Sequence, residues 1–342
     1  MASNPGHAAR SHGGVPRYAL PAMIPRRLAM AGCMALCART ATSQALERSV
    51  SLIAPFSAGG AADIAARLFA AHAPHHMGVP QPIIVDNRTG ASGSIGTQYV
   101  ARARPDGHTL LLARVGSSAI LPATDLRTPY SVEDFTWLGM LDENPFVIGV
   151  RADAPWSDID ALLRAIRAAP GTLNFATSGP ATILDLGVRH MLASAGLPID
   201  AAQALPFRGG GEALTALLGG HAQFVGNNLG EMLGAIQQGQ VRALVISGGI
   251  TLPGVPSAMD AGLPALAALA GWSALAAPAN LPEAMEEYWT RVVAATTRDP
   301  GWLAATRRTG SVPRAMGGAA TRAHVIAQIT LFRDLAQRLN LG

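Results

Sequence analysis

The stretch Ser51 to Arg67, SLIAPFSAGGAADIAAR, joins a short apolar run to a helix through a turn of small residues with paired glycines, and related arrangements follow downstream. Leu173 to Thr177 (LNFAT) leads through Ser178-Gly179-Pro180-Ala181-Thr182 into a helix whose apolar stripe is Ile183, Leu184, Val188, Met191 and Leu192. Leu205-Pro206-Phe207 leads through Arg208-Gly209-Gly210-Gly211-Glu212 into a helix carrying Leu214, Leu217 and Leu218, and Ala222 to Gly226 leads through Asn227-Asn228 into another. Short apolar strands alternating with one-sided helices predict an α/β fold. In such folds the loops at the carboxyl ends of the strands line the ligand crevice, so several of these turns are expected to face one ligand.

The earlier segments fit the same scheme. Leu52-Ile53 precedes a helix with Ile64, Leu68 and Phe69; Ile83 to Val85 precedes a helix with Ile95 and Tyr99; Asp106-Gly107 turns into Thr109 to Ala113. The pattern predicts a parallel sheet covered on both faces. A strand around Pro145 to Val150 leaves this first unit. Ser157 is the expected N-cap of a helix with Ile159, Leu162, Leu163 and Ile166 on one face, stopped by Pro170-Gly171. The second unit ends with Val241 to Ser247, and Trp272 to Ala277 returns to the first. Helices at Pro282 to Thr297, Gly301 to Thr309 and Thr321 to Asn340 complete the chain. Two crossings make a hinge, with a first lobe of 46–147 plus 273–342, a second of 148–272, and a ligand cleft between them.

The 342 residues suffice for two lobes. All 26 cationic residues are arginines; beyond Leu46, 21 of them face 22 acids, a formal net charge of −1. Nucleic acid is therefore not an expected partner. The five remaining arginines belong to an N-terminal leader, residues 1–45, in which Arg26-Arg27, an apolar Leu28 to Ala38 and the small residues around Ser43-Gln44-Ala45 suit export and cleavage before Leu46. Periplasmic localisation follows. Both cysteines, Cys33 and Cys37, lie in the leader, so the mature chain has neither disulfide nor thiolate chemistry. Ala261 to Pro282 is long and uncharged, but Pro264, Gly271 and Pro278 interrupt it, which suits a buried strand and loop.

The sequence lacks the usual starting points for catalysis. Gly90 to Gly96 is spaced G-x-x-G-x-x-G, unlike the dinucleotide fingerprint, and there is neither a G-x-S-x-G elbow nor an H-E-x-x-H pair. His72, His75 and His76 have no cysteine or evident carboxylate to join them and read as a solvated helix end. No catalytic residue, metal or cofactor is expected. What the turns do offer is backbone N–H groups and helix N-termini, which bind anions without a formal charge. Phe56, Ser57, Ala58, Gly59 and Gly60 form the first candidate loop, with Asp63 orienting it rather than touching an anion. Ser178, Gly179 and Thr182 either contact ligand or cap their helix. Beside Phe207 and Gly209, Arg208 either grips a carboxylate or is solvated, and Asn227 and Asn228 either meet a polar ligand group or close a turn.

Taken in order, several of these segments resemble one family. Pro55-Phe56-Ser57-Ala58-Gly59-Gly60 with Asp63 and Arg67, Val85 to Gly96, Arg104-Pro105-Asp106-Gly107-His108-Thr109-Leu110, Pro206-Phe207-Arg208-Gly209, Gly239 to Leu244, and Ala277-Pro278 ahead of Pro282 together resemble the Bug-type periplasmic solute receptors of tripartite tricarboxylate transporters. The resemblance spans Val50 to Leu341. It implies a two-lobed type II periplasmic-binding-protein fold, hinged around a central cleft, and a monomer that closes on a small organic carboxylate and delivers it to the membrane permease subunits. A ligand sensor for a signalling partner is the alternative within the family; a periplasmic enzyme acting on a carboxylate is the alternative outside it. Pro180, Ala181-Thr182 and Asp185 depart from the family's usual glycine, serine and histidine, and Asn227 stands where an acid is common, so tricarboxylate specificity is not carried over.

Overall fold

The computed structural model describes residues 46–338 apart from 249 and 268. The leader, with its two cysteines, and the expected helix end at Asn340 lie outside the described residues. The first lobe opens with β1 (Val50–Ala54), α1 (Ala61–His72), β2 (Ile83–Asn87), α2 (Ser94–Ala101) and β3 (Thr109–Arg114). β1 pairs in parallel with both β2 and β3. The period-two alternation of a strand sorts its side chains between two cores. Leu52, Leu110 and Leu112 pack on one face with Phe69, Trp289 and Trp302, while Ile53, Leu111 and Ala113 belong to the core on the other. The strands and helices that carry these residues were all expected from the sequence, although Trp289 and Trp302 were not singled out within theirs.

The next strand, β4 (Phe135–Arg151), runs for 17 residues, much longer than the segment expected around Pro145 to Val150. Its first part, Phe135 to Pro145, pairs with β9 (Ala270–Pro278) and β10 (Val312–Gly317). Its last part, Phe146 to Arg151, pairs with β7 (Phe224–Asn228) and β8 (Val241–Ile246). One strand thus serves both lobes. Within the second, α3 (Ile159–Ala168), β5 (Asn174–Thr177), α4 (Ile183–Ser194), β6 (Gln203–Pro206), α5 (Gly210–Leu218) and α6 (Leu229–Gln237) complete the alternation, with β5 parallel to β6 and β7. After β9 the chain adds α7 (Glu283–Thr296), α8 (Pro300–Arg308) and α9 (Gly318–Arg338), which packs on β4.

The sheet is mixed rather than parallel throughout. Its order is β2-β1-β3-β9-β4-β7-β5-β6, and β9 is antiparallel to both β3 and β4, as β4 is to β7, β8 and β10. The reason is the two-way traffic: β4 carries the chain out of the first lobe and β9 brings it back, so the strands at the junction must oppose each other. The N-cap of α3 is also one residue later than expected. Asp158 accepts the N–H of Ala161 at 2.8 Å, and Ser157 instead donates to Asp158. A carboxylate is the better acceptor at a helix start, where the dipole adds to the hydrogen bond.

At the junction Phe146 is almost wholly buried, its ring seated against glycines of β7 and α4. A Cβ on either Gly187 or Gly226 would stand 2.4 Å from its Cζ. Only hydrogen at those two Cα positions lets the ring in.

Candidate functional site

The first candidate loop follows β1. Phe56 and Ser57 are buried, Ala58 and Gly59 exposed, and Gly60 buried at the start of α1. Asp63, one turn into α1, reaches back to accept the N–H of Gly59 at 3.0 Å and is paired with Arg67 at 2.9 Å. Burial pushes its carboxyl up, but Arg67 and the Gly59 N–H outweigh it and hold the group below the usual aspartate range. Asp63 therefore orients the loop, as its position in the sequence suggested.

Across the cleft lies the glycine-rich turn of the second lobe. Arg208 accepts the N–H of Ser57 with its backbone oxygen at 3.4 Å, and the Cα atoms of Gly209 and Gly211 press onto the first-lobe loop. A Cβ on Gly209 would meet Ser57 Oγ at 2.4 Å, and one on Gly211 would meet the backbone of Ala58, Gly59 and Gly60 at 3.2 Å. Ser92 closes the same seam by donating to Pro180 at 2.7 Å. The glycines thus serve lobe-to-lobe contact.

The remaining candidates separate into two cavities. A small one of about 30 Å³ is lined by Phe56, Ser178, Thr182, Gly210, Asn228 and, from outside the expected set, Arg114 and Glu231. Space of this size holds water and little more, so a larger guest needs the lobes to part. An outer cavity of about 470 Å³ takes in Ser92, Gly179, Phe207 and Arg208, and shares Ser178 with the inner one. Arg208 itself is exposed at this outer rim. Ser178 donates to Thr182 at 3.0 Å and Thr182 to the oxygen of Gly179 at 2.8 Å, so these hydroxyls hold their own turn in shape. Asn227, wholly buried, donates to the oxygen of Gly210 at 3.0 Å and accepts the N–H of Asn228, tying β7 to the start of α5.

Three charged groups form the inner electrostatics. Arg114 ends β3 at 4% exposure, donating through Nη1 to Asn144 at 3.1 Å and Ser273 at 2.6 Å. Burial pulls its guanidinium down from the usual arginine range, while Asp142 and Glu231 oppose that. Asp142 accepts from Asn144 at 2.9 Å, and burial pushes its carboxyl up against the pull of Arg114. Glu231, in the first turn of α6, crosses the cleft. Its Oε1 accepts the N–H of Ala61 at the first position of α1, and its sealed Oε2 has no partner among the described residues. Burial pushes this carboxyl up too, opposed by the Ala61 N–H, Arg114 and the Asn228 amide. The sequence reading missed Arg114 and Glu231. The one signal for Arg114 was a charge ending the apolar run Leu110 to Ala113, and for Glu231 an acid in the first turn after Asn227-Asn228.

A sequence model of the tripartite tricarboxylate transporter family receptor matches residues 65–341. The chain belongs to that family. Among relatives of this receptor, a protein encoded in the tcbD-tcbE intergenic region of Pseudomonas sp. strain P51 is 32% identical over 283 residues, covering 78% of this chain and 80% of its own. Among solved structures, MatC of Rhodopseudomonas palustris with bound malate aligns at a TM-score of 0.79 and 26% identity, covering 84% of this chain and 99% of its own. A second R. palustris protein, solved with adipate, aligns at 0.81 and 26%, covering 86% and 98%. The receptor thus has the two-lobed periplasmic-binding-protein fold, and its family is one of solute-binding receptors rather than enzymes.

The departures noted in the sequence have structural occupations. Asp185 is buried and receives Arg189 Nε on both oxygens at 3.1 and 3.0 Å, so its charge is answered within α4. His72 and His76 each lie 3.6 Å from Asp299, the N-cap of α8, and His75 is exposed.

Proposed function

We propose that this receptor is the extracytoplasmic component of a transporter, binding a small organic carboxylate in the interlobe cleft and delivering it to the membrane permease. The observation that carries the reading is the facing of two helix starts, α1 in the first lobe and α5 in the second, across a junction of a few strands. Helix starts direct N–H groups at a guest, and at α1 the Ala61 N–H is held by Glu231, which a guest must meet or displace. Malate and adipate in two structural relatives support a carboxylate here. The contact set is Phe56, Ser57, Ala58, Gly59, Gly60, Ser178, Gly179, Thr182, Phe207, Arg208, Gly209 and Asn227, with Asn228 beside it, to which Arg114 and Glu231 are added. The lobes are 46–147 with 273–342, and 148–272. The receptor works as a monomer in the periplasm, reached through the leader, with no cofactor and no catalytic step.

The test is thermal unfolding against mono-, di- and tricarboxylates, amino acids and aromatic acids. Ligand at a hundred times its dissociation constant stabilises the fold by about 2.7 kcal/mol. A shift with one class of acid supports the reading; a folded receptor that none of them shifts overturns it.

A further inference from the structure

We propose that the cleft is built for a small zwitterion, with Glu231 taking its protonated amine and Arg114 its carboxylate. The inference rests on the receptor reading above and narrows its ligand class.

The argument begins with the count of charges. The inner cavity is lined by one guanidinium, Arg114, and one carboxylate, Glu231, and a second carboxylate, Asp142, acts on Arg114 from outside that lining. Asp142 has an answer in Asn144 Nδ2 at 2.9 Å. Glu231 takes the Ala61 N–H on Oε1 and has the Asn228 amide beside it, while its buried Oε2 has no hydrogen-bond donor among the described residues. Asn228 Oδ1, on the same wall and 3% exposed, is a second acceptor without a donor. A guest consisting of a carboxylate alone would bring a third anion to one cation in a site of low dielectric, where like charges repel strongly. It would also leave Glu231 Oε2 unanswered, since it brings acceptors to a wall that already has them in excess.

An ammonium has N–H donors and no acceptor, which is what that wall lacks. Arg114 supplies the opposite end. Among the described residues its hydrogen bonds both leave through Nη1, so Nε and Nη2 are uncommitted and suited to a carboxylate. Glu231 also stands where the sequence predicted a ligand anion: on the N–H groups at the start of α1, with Oε2 so near Gly210 that a Cβ there would lie 1.6 Å away. The protein's own carboxylate occupies the helix start, and what remains for the guest is a partner for that carboxylate.

The experiment is isothermal titration of the full chain with matched acids that differ by an amine: butyrate and γ-aminobutyrate, propionate and alanine, succinate and aspartate, with butylamine as the amine lacking a carboxylate. The expected result is that an amino acid of at least one pair binds about tenfold more tightly than its twin, the scale of a charged hydrogen bond in a dry site. Glu231→Gln should bring that ratio close to unity. The wild-type ratio alone already decides the matter if the variant fails to fold. Equal or tighter binding of the plain acids overturns the inference and leaves the carboxylate receptor standing. Butylamine binding as tightly as γ-aminobutyrate overturns the role of Arg114, and binding of no member of any pair overturns both the inference and the reading beneath it.

Discussion

Ser247 grips Phe146 at the point where the chain passes between lobes. The N–H of Phe146 donates to Ser247 Oγ at 2.8 Å, and the N–H of Ser247 donates back to the oxygen of Phe146 at 2.8 Å. The same hydroxyl donates to the oxygen of Leu269, one residue ahead of β9. Both crossing strands are therefore fastened to a single side chain. Ser247→Ala strands a buried N–H and a buried carbonyl together, a cost of about 1–3 kcal/mol. Urea unfolding should show that loss. A change under about 0.5 kcal/mol, the range of an ordinary surface substitution, would mean the strands hold the junction without it.

Gly210 and Glu231 should be coupled. A Cβ at Gly210 would fall 1.6 Å from Glu231 Oε2 and 2.6 Å from Asn227 Oδ1. Gly210→Ala must therefore eject the Glu231 carboxylate from the start of α1 and lose its contact with Ala61. In a Glu231→Ala background that part of the penalty disappears. A double-mutant cycle on stability is expected to give a coupling of about 1 kcal/mol or more. Additive effects would show that the clash is relieved by backbone movement instead.

Much of the fold was legible because its signals are local. The apolar cores of β1, β3 and β5, the small-residue turns after them and the stripes of α3 and α4 all announce themselves within a dozen residues. β4 did not, because its 17 residues include Gly139, Asp142 and Asn144, which interrupt an apolar reading but are buried by β9 and β10 from distant sequence. The same limit hid the charged part of the site. Nothing near Arg114 says that Asn144 and Ser273 will receive it, and nothing near Glu231 says that its partner is 170 residues earlier. Asp63 was readable because its partners, Gly59 and Arg67, lie four residues to either side.

Asp185 and Arg189 make a pH-dependent prediction. Burial pushes the Asp185 carboxyl up, and Arg189 is what opposes it. Arg189→Met leaves a carboxylate at 3% exposure without its counter-ion, expected to cost about 3 kcal/mol at neutral pH. Its folded pKa then rises further above the unfolded value of about 3.9. A raised carboxyl takes up its proton in the folded state first, so the penalty is full above the folded pKa and lifts as pH falls through it. Melting curves from neutral to mildly acidic pH should show the variant closing on the wild type; a gap independent of pH would assign the loss to packing.

Asp63 carries the opposite sign. Its carboxyl is held below the usual range because Arg67 and the Gly59 N–H outweigh burial. The stability it contributes is therefore present above the unfolded pKa of about 3.9 and is lost as pH falls through the lower folded value. Asp63→Asn should cost about 1 kcal/mol at neutral pH, the scale of one hydrogen bond, and nothing once the wild-type group is protonated. Unfolding of both proteins across acid pH checks the convergence, and a constant offset would exclude the charge as its source.

Two arginines near the cleft should behave differently under the same assay. Arg208 is exposed at the outer rim, where a cation attracts an acid through screened solvent; Arg208→Ala is expected to weaken binding only a few-fold, about the worth of a surface ion pair, and less at high salt. Arg114 is sealed, and its Nη1 is fixed by Asn144 and Ser273. Arg114→Gln keeps a donor but removes the bidentate edge and the charge, so an acid should lose about tenfold or more in affinity. Because Asp142 then loses its counter-ion, calorimetric affinities must be set against the folded fraction of each variant. If Arg208→Ala proves the more damaging and its effect survives high salt, the acid is held in the outer cavity of about 470 Å³ and not beside Arg114.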